Sequence, residues 1–178
     1  MNAQSFGPIG QVAYLVEDID ASVDRWARYS GIGPWTIYKN VTLDGWWKGQ
    51  DVKITMSVAL SYQDDVQMEL IQVISTGPCP YRRDDGSRIV RMHHMAWLTE
   101  NFDADVAKAK ERGLTQVFRA ANAASKVTYF ASPDEPGILW EFIEVTPMLK
   151  AGFDHGVAAS RAWDGKDPIL QVIDFSAL

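Results

Sequence analysis

Four polar residues interrupt apolar segments that have the composition of β-strands, namely Gln11, Glu69, His94 and Glu141. Placing a carboxylate on an apolar strand face costs free energy unless the carboxylate is paired or binds a metal. One imidazole, one amide oxygen and two carboxylates form a donor set suited to a divalent Zn, Ni, Co, Mn or Fe ion. Such an ion polarises a carbonyl group, so that a nearby carboxylate can remove a proton from the adjacent carbon. The four residues therefore predict a metal centre, with Glu141 as the first candidate for the catalytic base and Glu69 as the second.

These four residues occupy equivalent places in an internal repeat. Residues 11–23 align with residues 94–106, where six of the thirteen aligned pairs are identical and Gln11 lies opposite His94. Residues 68–73 align in the same way with residues 140–145, where Glu69 lies opposite Glu141. Because side chains alternate across a strand, two such halves packed about a pseudo-twofold axis would bring all four side chains together.

Each half of the repeat predicts a strand, a helix and three further strands. Asp18 and Asn101 are suited to cap the two helix N-termini, and Gly31 and Gly113 are suited to end the helices. We expect the later strands of the first half over 34–41, 52–61 and 66–74, with a break at Asp44-Gly45, and those of the second half over 115–120, 126–131 and 138–146.

The predicted fold class is therefore α+β, with two βαβββ modules. We assign residues 1–76 to the first module, 77–91 to a linker, 92–146 to the second module and 147–178 to a C-terminal extension. The extension predicts a helix near 155–164 and an extended segment at 169–173.

The composition limits the classes of partner. The chain has 17 Lys and Arg against 23 Asp and Glu, which does not favour binding to nucleic acid. The single cysteine, Cys79, excludes an intramolecular disulfide, and no apolar run reaches the roughly 20 residues of a membrane span. The first residues, 1–5, lack the basic and apolar regions of a signal peptide, so we expect a cytoplasmic protein without a membrane partner.

The repeat, with His94-Met95-Ala96-Trp97 and the paired glutamate-containing strands, resembles the vicinal oxygen chelate superfamily over about residues 7–146. That group includes glyoxalase I, methylmalonyl-CoA epimerase, extradiol dioxygenases and bleomycin-resistance proteins. The resemblance implies a cup-shaped mixed sheet with outer helices around one divalent metal. In this chain the implied ligands are Gln11, Glu69, His94 and Glu141. It further implies a metal-dependent isomerase, epimerase or lyase, a small-molecule carbonyl or acyl-thioester substrate, and a homodimer.

The sequence departs from individual family patterns and leaves alternatives open. Residues 52–58 contain no carboxylate, whereas the epimerase pattern has a glutamate base on this strand, and Gln11 stands where a dioxygenase has a histidine. A metal-free protein that binds a hydrophobic or aromatic small molecule is the main alternative, and a ring-cleaving dioxygenase is the third. Alignment with Gln11 selects His94 as the ligand and places His93 on the opposite strand face.

Overall fold

The computed structural model describes residues 5–122 and 125–177. Residues 1–4, which contribute to the expectation about a signal peptide, lie outside the described residues. The strands are β1 (Gln11–Leu15), β2 (Trp35–Trp47), β3 (Gln50–Gln63), β4 (Val66–Val73), β5 (Arg91–Thr99), β6 (Thr115–Ala121), β7 (Lys126–Ala131), β8 (Leu139–Glu144) and β9 (Ile169–Asp174). The helices are α1 (Ile19–Ser30), α2 (Phe102–Glu111) and α3 (Pro147–Ala162), followed at the end by a short 3-10 turn (Phe175–Ala177).

The first helix of each repeat begins and ends near the predicted residues. The Asp18 carboxylate accepts a hydrogen bond from the Ala21 N–H at 2.9 Å, and Gly31 ends α1 with a φ of 70°. The side chain of Asn101 makes no such bond. Instead, the Thr99 hydroxyl accepts from the Asn101 N–H and donates to the Asp105 carboxylate, which orders the start of α2.

The strands form one curved sheet that closes into a ring. The central strand β1 pairs in parallel with β4 and antiparallel with β5, and β5 pairs in parallel with β8. Antiparallel pairings of β2 with both β3 and β6 complete an eight-stranded ring, and β9 adds to β2 in parallel. The predicted α+β class with two βαβββ modules is confirmed, whereas the proposed module boundaries remain predictions.

The predicted break at Asp44-Gly45 is wrong, because β2 runs through both residues to Trp47. Gly45 serves a different purpose there, since a Cβ atom at this position would lie 2.8 Å from the backbone oxygen of Arg119 in β6. The chain turns instead at Lys48 and Gly49, which both have positive φ angles, as a tight two-residue hairpin requires.

The predicted helix over 155–164 is also placed incorrectly, because α3 begins eight residues earlier at Pro147. The Thr146 side chain accepts from the Leu149 N–H, and proline is favoured in the first helical turn because its missing N–H is not needed there. The extended segment expected at 169–173 is present as β9.

The two faces of the ring have different roles. Along β1, Ala13 and Leu15 face the interior, while Val12 and Tyr14 pack outward against the cluster beneath α1. Helix α2 covers another outer cluster, which includes Trp97 and Phe142. In the part of the chain that the structure describes, no helix is long and apolar enough to cross a membrane.

Candidate metal and catalytic site

The four polar residues singled out in the sequence meet at one point inside the ring. The Nε2 atom of His94 lies 3.2 Å from Gln11 Oε1, 3.3 Å from Glu69 Oε2 and 3.0 Å from Glu141 Oε2. His94 is fully buried, Gln11 and Glu141 are nearly so, and the Glu69 side chain is 15% exposed. One imidazole nitrogen therefore contacts three side-chain oxygens from three different strands.

Strand register explains this convergence. Ala13 in β1 lies directly opposite both Glu69 and His94, and Ala96 in β5 lies directly opposite both Gln11 and Glu141. Residues opposite each other in paired strands project from the same face, so all four polar side chains point inward. The two alanines, which are fully buried, leave space for the larger side chains beside them.

His94 and Glu141 form a buried, electrostatically coupled pair. Burial acts to lower the pKa of His94, but the adjacent carboxylates, Glu141 before Glu69, outweigh it and raise this pKa above its ordinary value. Burial raises the pKa of Glu141, and His94 acts in the opposite direction. Although Glu141 Oε2 is within ion-pair distance of His94, it has no well-aligned hydrogen-bond partner among the described residues. This buried oxygen can bind a metal ion or accept a proton.

The placement predicted for His93 is wrong. A β-bulge between β1 and β5 leaves His93 without a partner, so its ring turns to the same side as that of His94. The Nδ1 atoms of the two histidines are 2.9 Å apart, and His93 Nε2 lies 2.9 Å from the Pro80 carbonyl oxygen. Burial, reinforced by His94, lowers the pKa of His93 to about 3, which keeps this ring neutral.

These contacts define which nitrogen carries each proton. A carbonyl oxygen can only accept, so His93 Nε2 carries the proton and donates to Pro80. The neutral His93 ring must then accept at Nδ1, and His94 donates from its own Nδ1. The three oxygens that face His94 Nε2, from Gln11, Glu69 and Glu141, can all accept, so this nitrogen also carries a proton, which agrees with the raised pKa of His94. A metal ion bound at Nε2 would replace that proton, and the hydrogen bond from Nδ1 to His93 would orient the ring for it, as expected of a second partner of a metal-binding histidine.

A chain of amides orients Gln11. Its Nε2 group donates to Gln67 Oε1 at 2.7 Å, and Gln67 Nε2 donates to the Tyr62 hydroxyl at 2.6 Å. With its amide nitrogen engaged, Gln11 presents its oxygen to His94. The amide orientation required of a metal-binding glutamine is thus fixed by its neighbours.

Two buried tyrosines, Tyr81 and Tyr129, stand beside the site. Their hydroxyl groups are 2.8 Å apart, and the Tyr129 ring centroid lies 5.0 Å from that of His94. Burial raises the pKa of both tyrosines well above the ordinary value, so both remain neutral. Burial raises the pKa of Glu141, and Tyr129 is one of the groups that act in the opposite direction.

The donor types fit a divalent metal, but the side chains are not spread around a vacant point. Within residues 5–122 and 125–177, no group of three or more His, Cys, Asp or Glu side chains is arranged to hold an ion. Adjacent donors around an ion with bonds of about 2.1 Å lie roughly 3 Å apart, close to the observed separations from His94 Nε2. The unpartnered Glu141 oxygen is also of the type that binds a cation. Small side-chain rotations would have to open the site.

The site lies at the inner end of a cavity of about 840 Å³. Gln11, Glu69 and Glu141 line it, whereas most of the remaining wall is apolar. The exposed lining residues fall in two groups: one, which includes Met148, Leu170 and Phe175, belongs to the C-terminal extension, and the other, Thr42, Ala121 and Asn122, lies in or just after β2 and β6. The extension therefore borders part of the mouth of the cavity. A volume of this size accommodates a drug-sized molecule.

Sequence reasoning missed several neighbours of the site, among them His93, Gln67 and Tyr129. A signal for Gln67 was available, because it precedes Glu69 by two residues and therefore shares its strand face. No equivalent signal existed for His93, because alternation along an unbroken strand predicts the opposite face for it.

Comparison with known proteins agrees with the fold. The model of the glyoxalase, bleomycin resistance protein and dioxygenase superfamily matches residues 10–131, and the chain belongs to this superfamily. No curated protein matched the chain in sequence.

Among solved structures, the chain is similar to a hypothetical protein from Bacillus halodurans, with a TM-score of 0.55 and 15% identity, over 78% of this chain and 94% of that one. It is also similar to methylmalonyl-CoA epimerase from Mycobacterium tuberculosis, with a TM-score of 0.54 and 18% identity, over 85% of this chain and 97% of that one. At these identities the similarity extends to the fold alone.

Proposed function

We propose that this chain is a metal-dependent isomerase, epimerase or lyase that removes a proton beside the carbonyl group of a small molecule. The observation that supports this best is the convergence of Gln11, Glu69, His94 and Glu141 at the inner end of a large cavity. His94 Nε2, the amide oxygen of Gln11 and the two carboxylates would hold one Zn, Ni, Co, Mn or Fe ion. When bound, a divalent ion supplies polarisation of the substrate carbonyl.

Glu141 is the proposed base. The Glu141 side chain lines the cavity, its buried Oε2 atom has no well-aligned hydrogen-bond partner in the described structure, and burial raises its pKa, which strengthens it as a proton acceptor. In an isomerisation or epimerisation, Glu141 would accept the proton on a carboxylate oxygen not engaged as a ligand and return it to the same or a neighbouring carbon, so that no other reactant is consumed. In a lyase reaction, a group on the neighbouring carbon would leave with its bonding electrons as the proton is removed. Glu69, which is more exposed and also lines the cavity, is the second candidate.

A metal-free protein that binds an apolar small molecule is the second candidate function. The apolar wall of the cavity favours it, as does the absence, in the described ranges, of side chains already spread around an ion. A ring-cleaving dioxygenase remains the third, because the residue beside His94 on β1 is an amide and not a second imidazole. The expected homodimer and cytoplasmic location remain proposals.

Metal content distinguishes the two leading candidates. We expect one ion per chain after loading with each of the five metals in turn, measured by elemental analysis of gel-filtered protein. His94→Ala should lose at least nine-tenths of it. His155→Ala, which changes an exposed histidine at the cavity mouth, is the matched control and should retain it. Full metal content in His94→Ala would show that the ligand assignment is wrong.

Proton exchange tests the chemistry with a panel of small carbonyl compounds. We expect the loaded protein to incorporate solvent deuterium next to the carbonyl of at least one hydroxycarbonyl, 2-oxo or acyl-thioester compound in the panel, followed by NMR in D₂O. Glu141→Gln should slow this exchange by about 10²–10⁴-fold, the usual contribution of a general base. Glu144→Gln, which breaks only the pair with Lys126 on the outside, should not.

A further inference from the structure

We propose that the C-terminal extension completes the substrate chamber, that the substrate is a neutral and largely apolar molecule, and that Gly152 limits its length. The proposal rests on the proposed function and adds to it the substrate class and a specificity-determining residue. It follows from three observations: the position of α3, the charges of the cavity wall and the space in front of Gly152.

Helix α3 lies beyond the part of the chain that the superfamily model matches, yet it forms part of the cavity wall. Its contributing residues recur every three or four positions, which places them on one helix face: Met148, Leu149, Gly152, Phe153, His155 and Gly156. Helix α3 and β9 therefore add a wall to the cavity beyond the eight-stranded ring.

The extension is held firmly against the ring. The Phe153 ring packs edge-on against Tyr62 at 4.9 Å, and a Cβ atom at Gly156 would collide with Tyr62. Arg161 pairs with Asp65 at 2.9 Å, and β9 pairs with β2 over five residues. The wall formed by α3 therefore packs directly on the ring.

The charges of the wall determine what the chamber can accept. None of the described lining residues is Lys or Arg, whereas two carboxylates, Glu69 and Glu141, stand at the inner end. Away from the ion proposed at the inner end, an anionic group in this cavity would be buried without a counter-charge, which is costly. The remaining surface, which includes Met56, Val58 and Leu98, favours apolar groups. The wall therefore selects a neutral, largely apolar body.

Gly152 lies where a side chain would shorten the space in the chamber that a substrate can occupy. It lies on the cavity face of α3, its φ angle is helical, and a Cβ atom there would meet nothing within 4 Å. The first side-chain atom of a larger residue would have open space around it on the helix face that lines the chamber. Leucine and alanine also favour helix more than glycine does, so the fold should tolerate either one.

Two fluorescent probes that differ by one sulfonate group test the proposal. We expect neutral N-phenyl-1-naphthylamine to bind saturably to one site per chain, at least tenfold more tightly than anionic 8-anilino-1-naphthalenesulfonate. Gly152→Leu should weaken binding of the neutral probe at least tenfold, and Gly152→Ala by a smaller factor. Ala151→Leu, an exposed neighbour on the same helix, should change it less than twofold.

Equal affinity for the two probes would overturn the inferred substrate class. Unchanged binding in Gly152→Leu, with the melting temperature of the wild-type protein retained, would overturn the role of this residue. Metal content measured on the same samples separates this proposal from the proposed function, because Gly152→Leu should keep its ion. Selective probe binding in a protein that holds no metal would leave the chamber standing and remove the metal-dependent reaction.

Discussion

At the scale of single residues, His93 acts on the site through its hydrogen bond with His94. It links the Pro80 carbonyl to the Nδ1–H group of His94, so the two hydrogen bonds fix both the ring plane of His94 and its tautomer. Such second partners of a metal-binding histidine are worth about 10–100-fold in metal affinity.

We predict that His93→Phe raises the metal dissociation constant by about 10–100-fold, because phenylalanine keeps a ring in place but accepts no hydrogen bond from His94. His93→Asn, which retains an acceptor near the Nδ1 position, should recover most of the affinity. Competition with a chromophoric chelator measures both constants. Equal affinities for the phenylalanine and asparagine variants would show that His93 contributes only packing.

At the scale of elements, the site depends on two small residues in neighbouring strands. Ala13 and Ala96 occupy the positions directly opposite the four polar side chains, and both are completely buried. The site therefore requires a small side chain at each of these positions as much as it requires the polar ones.

Ala96→Leu should destabilise the protein by about 1–3 kcal/mol, the usual cost of overpacking a core. It should also abolish metal binding, because the added atoms displace Gln11 and Glu141. Chemical denaturation and elemental analysis measure these effects, with Ala107→Leu on the exposed face of α2 as the control. A stable Ala96→Leu protein with full metal content would contradict this account of the register.

At the scale of the whole molecule, the ring is closed by a short contact between β2 and β6. Only three residue pairs join these strands, and Gly45 is one of the six residues involved. Because this contact holds the two modules together on the side away from β1 and β5, it determines the width of the cavity.

Gly45→Val should lower stability by about 1–3 kcal/mol, since its side chain would press on the backbone of Arg119. For a chain of this length that corresponds to a fall in melting temperature of roughly 2–12 °C. Gly77→Val, where a Cβ atom meets nothing within 4 Å, is the matched control for calorimetry. Equal melting temperatures for the two variants would show that the close approach of β6 is not restrictive.

The sequence was sufficient for the features that local patterns determine. Alternation and repetition identified the strand faces of Gln11, Glu69, His94 and Glu141, as well as the order of elements in each half. The start of α3 was also readable, because Thr146 and Pro147 form an ordinary helix N-terminus.

Features that depend on a distant strand could not be read in this way. The bulge at His93 arises in the pairing of β5 with β1, and Gly45 resembles a turn residue until β6 is seen beside it. Both depend on contacts between residues more than seventy positions apart, for which a single sequence carries no local signal.

Tyr62 links helix α3 to the amide groups at the inner end of the cavity. Its ring packs on Phe153 of α3, and its hydroxyl accepts from Gln67, which in turn accepts from Gln11. Any occupant that shifts α3 must therefore disturb the amide beside His94. By thermodynamic reciprocity, an ion held at Gln11 would alter, by the same factor, how tightly that occupant is retained.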